Sequence, residues 1–519
     1  MVYTRRNPAV LIMGLLLLGL GYAASSGLLD PTLKWLAADK LKGEMAYLPY
    51  LFGALAVVIG LWQLTGRHAP GDIDYYTSAI GGAIFVLAVA MAVRWFLDPL
   101  VAVWSKSAGP IFGGKYIHDV FGLNYIVLGI LAGILIVNVT GVPSWAENGV
   151  RLSRVGLKTG VILLGTLYFL QELLHLGTAS FTLIGIFVLG SVAMTLWMGR
   201  AMHIPSSMGG VLSAGVGVCG VSAAVASAPV VQAKSAEIAY TIGTILLWGV
   251  GCMFLFPTIG KMLDLSHEAF GAWAGTGILN SAQVAGAALA FDPHGIQTLK
   301  VAEIFNITRV LFLPIIVVWL AAWYVKREAG AQKVDLSQVL IAKFPVFVLG
   351  FLGLFILSTM GVFAPAGHYQ GKYFSSEQVK EDKLLKEKDL AALQAALPKV
   401  TAPADNKALQ DLIAARKVST RDQDVLLRGV AKMEGLDKGA KDALGNAHKA
   451  AWHDSKIIKA YRDWIAWLFA FGLTGLGMQI TVASIKQAGG KPLIIGSVVG
   501  LIKAVGSLIV VLLFVREFI

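Results

Sequence analysis

An all-α polytopic membrane bundle is the fold class this sequence predicts, on three observations. Hydrophobic residues make up 56% of 519 and charged residues only 14%, with mean hydropathy +0.70, far from the values of a soluble domain. Apolar runs of the roughly 20 residues that cross about 30 Å of hydrocarbon recur along most of the chain. Backbone in lipid must satisfy its own hydrogen bonds, so these runs are helices.

About thirteen spans can be marked in order. Three come first, at 10–28, 46–64 and 78–97, and five follow at 122–139, 156–170, 180–198, 208–231 and 236–259. The last five are 270–290, 301–325, 344–363, 464–481 and 492–515. The opening run "RRNPAVLIMGLLLLGLGYAASS" reads as a first membrane helix, although a signal peptide has the same basic flank, apolar core and small-residue end.

The net charge of +12 comes from Lys and Arg gathered in loops, so no nucleic-acid partner is expected. The side holding Arg5, Arg6, Arg151, Arg154, Lys326 and Arg327 carries about fourteen in short loops, against about eight on the other. The N-terminus is then cytoplasmic and the C-terminus outside. Cys219 and Cys252 both fall in spans, which argues against a disulfide framework. The absence of a Walker motif argues against ATP as energy source.

From about 364 to 456 the chain turns polar and charge-rich. This is expected to be a small helical insert on the outer face, opening with an amphipathic helix capped by Ser375 or Ser376. His448 and His453 read as solvated surface, and no metal-ligand cluster is present.

The stretch "SAGVGVCGVSAAVASAPVV", residues 213–231, is built from weak helix formers. Glycine costs about 1 kcal/mol relative to alanine in a helix interior, so Gly215, Gly217 and Gly220 make an unwound break inexpensive. A break exposes orphan N–H groups, which suit an anion, and orphan carbonyls. Small residues also allow close helix packing. Residues 215–227 set beside 472–484 give five identities in thirteen. Each segment is the fourth of five consecutive spans. Two five-span units insert with opposite topology, giving the inverted repeat common in secondary transporters, whose glycine-interrupted helices mark the binding site.

The run "GVCGVSAAVASAPVVQAKSAEIAYTIGTILLWGVGCMFLFP", then "FGAWAGTGILNSAQVAGA", "TRVLFLP" and "GLGMQITVASIKQAGGKPLIIG", resembles the YeiH-like sulfate-exporter family over roughly residues 78–515, the insert excepted. The resemblance implies a bile-acid-symporter-like plan with a 5+5 inverted repeat and two crossing broken helices, in the bacterial inner membrane. It places Cys219, Gly220 and Ala224 in the family's Ile-Cys-Gly segment, Gln283 in its Ala-Gln-Val motif, Arg309 in its Thr-Arg-Val motif and Lys491-Pro492 at its last helix. Where the family commonly has His followed by Asp or Glu, this chain has Leu279 and Asn280, and where it commonly has Arg after Gly-Phe this chain has Leu167. Asn carries no proton as a carboxylate does, so proton coupling through that acid is in doubt.

The expected division is 1–121 as extra membrane helices, 122–260 as repeat 1, 270–363 as the first part of repeat 2, 364–460 as the insert and 461–519 as the rest of repeat 2. The expected activity is non-enzymatic: export of a small anion such as sulfate or a sulfonate by alternating access, without cofactor or metal. The substrate-binding candidates are Gly217, Cys219, Gly220, Ser222, Asn280, Ser281, Gln283, Arg309, Gly477 and Gln479. Glu303 and Asn306 lie at helical spacing from Arg309, so a local pairing competes with a ligand role. Lys158 and Glu172 read as snorkelling side chains near helix ends. Expected partners are the anion, a coupling ion (H+ or Na+), membrane lipid and a second copy of the chain as homodimer. A sodium-coupled organic-anion importer, with a cation site near Asn280 and Gln479, is the alternative within transport. A membrane sensor or scaffold using the insert is the alternative outside it.

Overall fold

Long apolar runs close into helices, and the computed structural model is built almost wholly of them. It describes residues 7–65, 72–111, 116–168, 170–293, 295–327, 346–365, 368, 371–433, 435–486 and 489–515. Arg5 and Arg6 of the basic flank, and the side chain of Glu172, lie outside the described residues. Six of the described helices are long and apolar enough to cross a membrane: Asp39–Thr65, Tyr75–Ser107, Ser180–Ala201, Ser235–Met262, Gln297–Val325 and Gly490–Phe514. Shorter apolar helices accompany them at Ala9–Ser25, Tyr125–Val139, Ser281–Phe291 and Val346–Thr359. The chain is an all-α membrane protein.

It divides into two units. The first comprises Met1–Ile162, Glu172–Gly350 and Ile465–Ile519. Within it, three of the runs marked as spans are interrupted, two of them at the glycine-rich stretches where a break was expected. The 208–231 run is Ser206–Gly217 followed by Val221–Ser227, and the 270–290 run is His267–Gly277 followed by Ser281–Phe291. After Gly477 the chain leaves the helix and resumes at Val482–Lys486. Aromatic packing fixes these pieces. Phe256 stacks on Trp273 with centroids 3.9 Å apart, and Phe270 on Phe291 at 4.0 Å. The indole N–H of Trp273 donates to the Ala504 carbonyl at 2.9 Å, and that of Trp248 to the Ser497 hydroxyl at 2.8 Å. Trp273 is buried and Trp248 half-buried, both with their donors satisfied, and they tie the Gly490–Val510 helix to its neighbours beside the broken segments.

The second unit comprises Leu163–Gln171 and Phe351–Trp464. Its charge-rich part packs the helices Glu387–Ala396, Pro403–Ala415, Arg421–Ala431 and Lys438–Ala451 around a core that includes Leu393, Leu409, Leu412, Val430 and Ala440. Ser375 and Ser376 cap no helix. Lys372–Phe374 forms a strand antiparallel to Trp452–Asp454, and the Ser375 N–H donates to the Ala451 carbonyl. The pairing draws the segment into extended backbone, and the first α-helix of this part begins at Glu387, where the Lys386 backbone N–H donates to Asp389 Oδ2 at 3.2 Å. Nor are the histidines simply solvated. His448 Nδ1 lies 2.8 Å from Asp424 Oδ1, and His453 Nε2 lies 3.0 Å from the Ser375 carbonyl oxygen. Asp424, 1% exposed, also accepts from Trp452 Nε1 at 3.0 Å and faces Arg428 at 3.5 Å. Asp424→Leu should therefore cost about 2 kcal/mol locally. Hydrogen exchange across residues 387–451 would then run about thirty-fold faster, and unchanged exchange would show that the carboxylate does not hold this helical part together.

Candidate substrate site at the helix breaks

The first break is built by glycine. At the end of the Ser206–Gly217 helix, Val218 turns to φ −102°, ψ −100°, and Gly220 adopts φ 80°, ψ −126°. That positive φ is open to glycine and strained for other residues. The Gly220 N–H reaches back to the Gly215 carbonyl at 3.1 Å, and its own carbonyl accepts from Ala224 at 3.1 Å, so one glycine closes one half-helix and opens the next. A Cβ at 220 would lie 3.0 Å from both Cα and Cβ of Asn280. Asn280 ends the second break, where Ile278 to Asn280 run extended between two half-helices. The two interruptions meet, backbone against backbone.

Beside this meeting point lies a cavity of about 650 Å³. Its polar lining is Cys219, Ser222, Asn280 and Ser281 from the breaks, Arg154 and Lys158 from the Glu147–Leu164 helix, and Glu303 and Asn306 from Gln297–Leu311. Arg154 and Lys158 are one helical turn apart and so share a face. Lys158, read from the sequence as snorkelling, is a lining residue, and its ammonium also sits 5.9 Å from the Phe347 ring centre. With two cations and one carboxylate, the lining carries positive formal charge.

Of the predicted site residues, Cys219, Ser222, Asn280 and Ser281 line this cavity. Gly217 and Gly220 shape the break without being among its lining residues. Gln283 is fully buried, and neither its amide nitrogen nor its oxygen finds a partner. It fills space left by Gly249, where a Cβ would collide with that amide. Arg309 is fully buried behind the cavity, donating to the carbonyl of Ile278 and to Asn306 Oδ1, the latter at 3.0 Å. Asn306 Nδ2 in turn donates to Glu303 Oε2 at 2.9 Å. The local pairing read from helical spacing is thus a relay through Asn306.

Gly477 and Gln479 are placed at a separate interruption. Gly477 packs against the backbone of Ile130. The Gln479 amide donates to the carbonyls of Val150 and Gly475, each at 3.0 Å, and to Ser153 Oγ at 3.1 Å. Asn138 completes that turn, donating to the Ile480 carbonyl at 3.0 Å and accepting from Val482 N–H at 2.6 Å. The residue that sequence reading missed is Lys503, 1% exposed on the Gly490–Val510 helix, whose Nζ donates to the carbonyls of Val216 at 3.1 Å and Gly217 at 3.0 Å. Its signal was a lysine in the middle of an apolar span, where ionisable groups are expensive.

Fold and composition together define a polytopic all-α membrane protein whose polar groups converge on interrupted helices. The family described as conserved hypothetical protein 698 matches residues 96–394. A UPF0324 membrane protein of Nitratidesulfovibrio vulgaris is 35% identical over 444 residues, covering 84% of this chain and 95% of its own length. A second from the same organism is 37% identical over 57% of this chain and 80% of its own, and one from Fusobacterium nucleatum is 31% identical over 48% and 69%. The chain belongs to this UPF0324, or YeiH-like, family of membrane proteins. No solved structure matches it at a significant level.

Proposed function

We propose that the protein is a secondary transporter of a small oxyanion, with the cavity at the two helix breaks as its substrate site. The observation that carries this reading is the cavity lining: Arg154 and Lys158 line a space of about 650 Å³ together with Ser222, Asn280 and Ser281. Cationic side chains and neutral hydroxyl or amide donors suit a sulfate-sized anion. Glycine-interrupted segments near the middle of the membrane are where secondary transporters bind their cargo. In this reading about thirteen spans form a 5+5 inverted repeat, alternating access opens the breaks to each side in turn, and the direction is export. The N-terminus is cytoplasmic by the distribution of basic loops. Ser222 and Asn280 orient the anion, and Arg154 with Lys158 supply its counter-charge.

The test is counterflow in proteoliposomes preloaded with sulfate, sulfite, a small sulfonate or a small carboxylate. One of these should be taken up well above protein-free vesicles. The double variant Arg154→Met with Lys158→Met should lower that uptake about ten-fold or more, the loss of one to two charge-assisted contacts. Absence of flux for all four anion classes from folded protein would refute the reading.

A further inference from the structure

The carbonyl end of Ser206–Gly217 is already occupied, and so is the first carbonyl past His267–Gly277. At the end of Ser206–Gly217 the last four carbonyls are accounted for from within the chain. Ala214 accepts from Val218 N–H and Gly215 from Gly220 N–H, while Val216 and Gly217 accept from Lys503 Nζ at 3.1 and 3.0 Å. Just beyond His267–Gly277, the carbonyl of Ile278 accepts from Arg309. Each basic side chain comes from a helix later in the chain, and each is buried to 1% exposure or less. Exposed carbonyls at half-helix C-termini are where coupled transporters hold a sodium ion or a proton, because the helix dipole makes that end negative.

We infer that Lys503 and Arg309 stand permanently in the positions that monovalent coupling cations would take at these breaks, so the site binds no sodium and works without a sodium gradient. An amine tethered to the Gly490–Val510 helix satisfies these carbonyls by hydrogen bonds from within the chain, whereas a bound ion does so only when present. Lys503 is the more telling of the two, because it satisfies two carbonyls that accept from no backbone N–H outside the helices among the described residues. The third interruption has its own internal partners in Gln479 and Asn138. The inference deepens the transporter reading by excluding one coupling ion, but its test measures stability and so stands or falls apart from transport.

Purified protein is unfolded thermally in sodium chloride and in choline chloride of equal ionic strength, as wild type, Lys503→Arg and Lys503→Ala. The wild type should unfold at the same temperature in both salts. A bound ion would instead raise it in a concentration-dependent, saturable way. Lys503→Arg should stay near wild type. Lys503→Ala should unfold several degrees lower in choline and regain part of the loss in sodium or methylammonium chloride, either of which can refill the vacated position. A saturable sodium-dependent rise in the wild type would overturn the inference, as would a Lys503→Ala variant that matches wild type or responds to neither cation. If Lys503→Ala does not fold, the wild-type comparison decides alone.

Discussion

Gly220→Ala should remove most of the folded protein from a detergent-solubilised preparation and abolish anion uptake by what remains. Two costs add at this residue. Its backbone at φ 80°, ψ −126° lies in a region that strains any residue with a Cβ by about 1–3 kcal/mol. The added carbon would also stand 3.0 Å from two atoms of Asn280, and overpacking of that kind costs about 1–3 kcal/mol where the neighbour cannot move. Here the neighbour is largely backbone, held in place by a half-helix on either side. A total of about 3 kcal/mol is a large part of the stability of most domains. The measurement is thermal unfolding followed by counterflow on the surviving fraction. Gly249→Ala is a useful companion, since its clash is with the side chain of Gln283, which can rotate, so it should be milder. Wild-type unfolding and uptake in Gly220→Ala would mean that the break does not need this geometry.

The helical, membrane-bound character of the chain was legible because it depends on composition and run length alone. The break at 218–220 was legible too, since three glycines within six residues leave little reason for a continuous rod. Its neighbour at 278–280 was not foreseen. Residues 270–290 are rich in small residues along their whole length, which marks no single breaking point, and what interrupts them is a tertiary fit: Ile278 and Asn280 lie extended where Gly220 and Arg309 meet them. Instead, internal similarity pointed to residues 472–484 as the partner. That stretch is interrupted as well, but its polar groups are spent on Asn138, Val150 and Ser153. A sequence echo reports where helices are weak, and not which weak points touch.

The charged residues show the same division. Arg309 stood out as a cation inside an apolar helix, whereas Lys503 in "GLIKAVG" passed as one lysine near the end of the chain. Arg154 and Lys158 were counted as loop or helix-end charges because positive-inside statistics average over such positions. Only the placement of the Glu147–Leu164 helix makes them cavity residues. In the second unit the charge-rich composition gave the helices, but the strand pairing of 372–374 with 452–454 joins residues about eighty apart, beyond any local pattern.

Arg309→Gln should lower anion uptake about a hundred-fold and cost about 3 kcal/mol in thermal unfolding, and adding Glu303→Gln should not restore either. The guanidinium is fully buried and donates to the Ile278 carbonyl and to Asn306 Oδ1, and removing one partner of a buried, hydrogen-bonded ionic network costs about 3–5 kcal/mol. Gln keeps an amide donor but is too short to serve both acceptors, so the extended backbone of the second break loses its anchor. Loss of that anchor moves Asn280 and Ser281, which line the cavity, and displacements of about 1 Å at a reacting or binding centre are worth about a hundred-fold. A simple charge-pairing role for Arg309 makes the opposite prediction. If it existed to neutralise Glu303, the double variant would remove the orphaned carboxylate and recover the single variant's loss. In the structure Asn306 stands between them, donating to Glu303 Oε2 at 2.9 Å and accepting from Arg309 at 3.0 Å, so Glu303 keeps a hydrogen-bond partner without the arginine. Because both side chains bond Asn306, the two singles should couple by about 0.5 kcal/mol or more, but the uptake lost with the anchor of the second break should not return. Recovery of uptake and stability in the double variant would remove Arg309 from the second break and return it to a purely local ion-pair role.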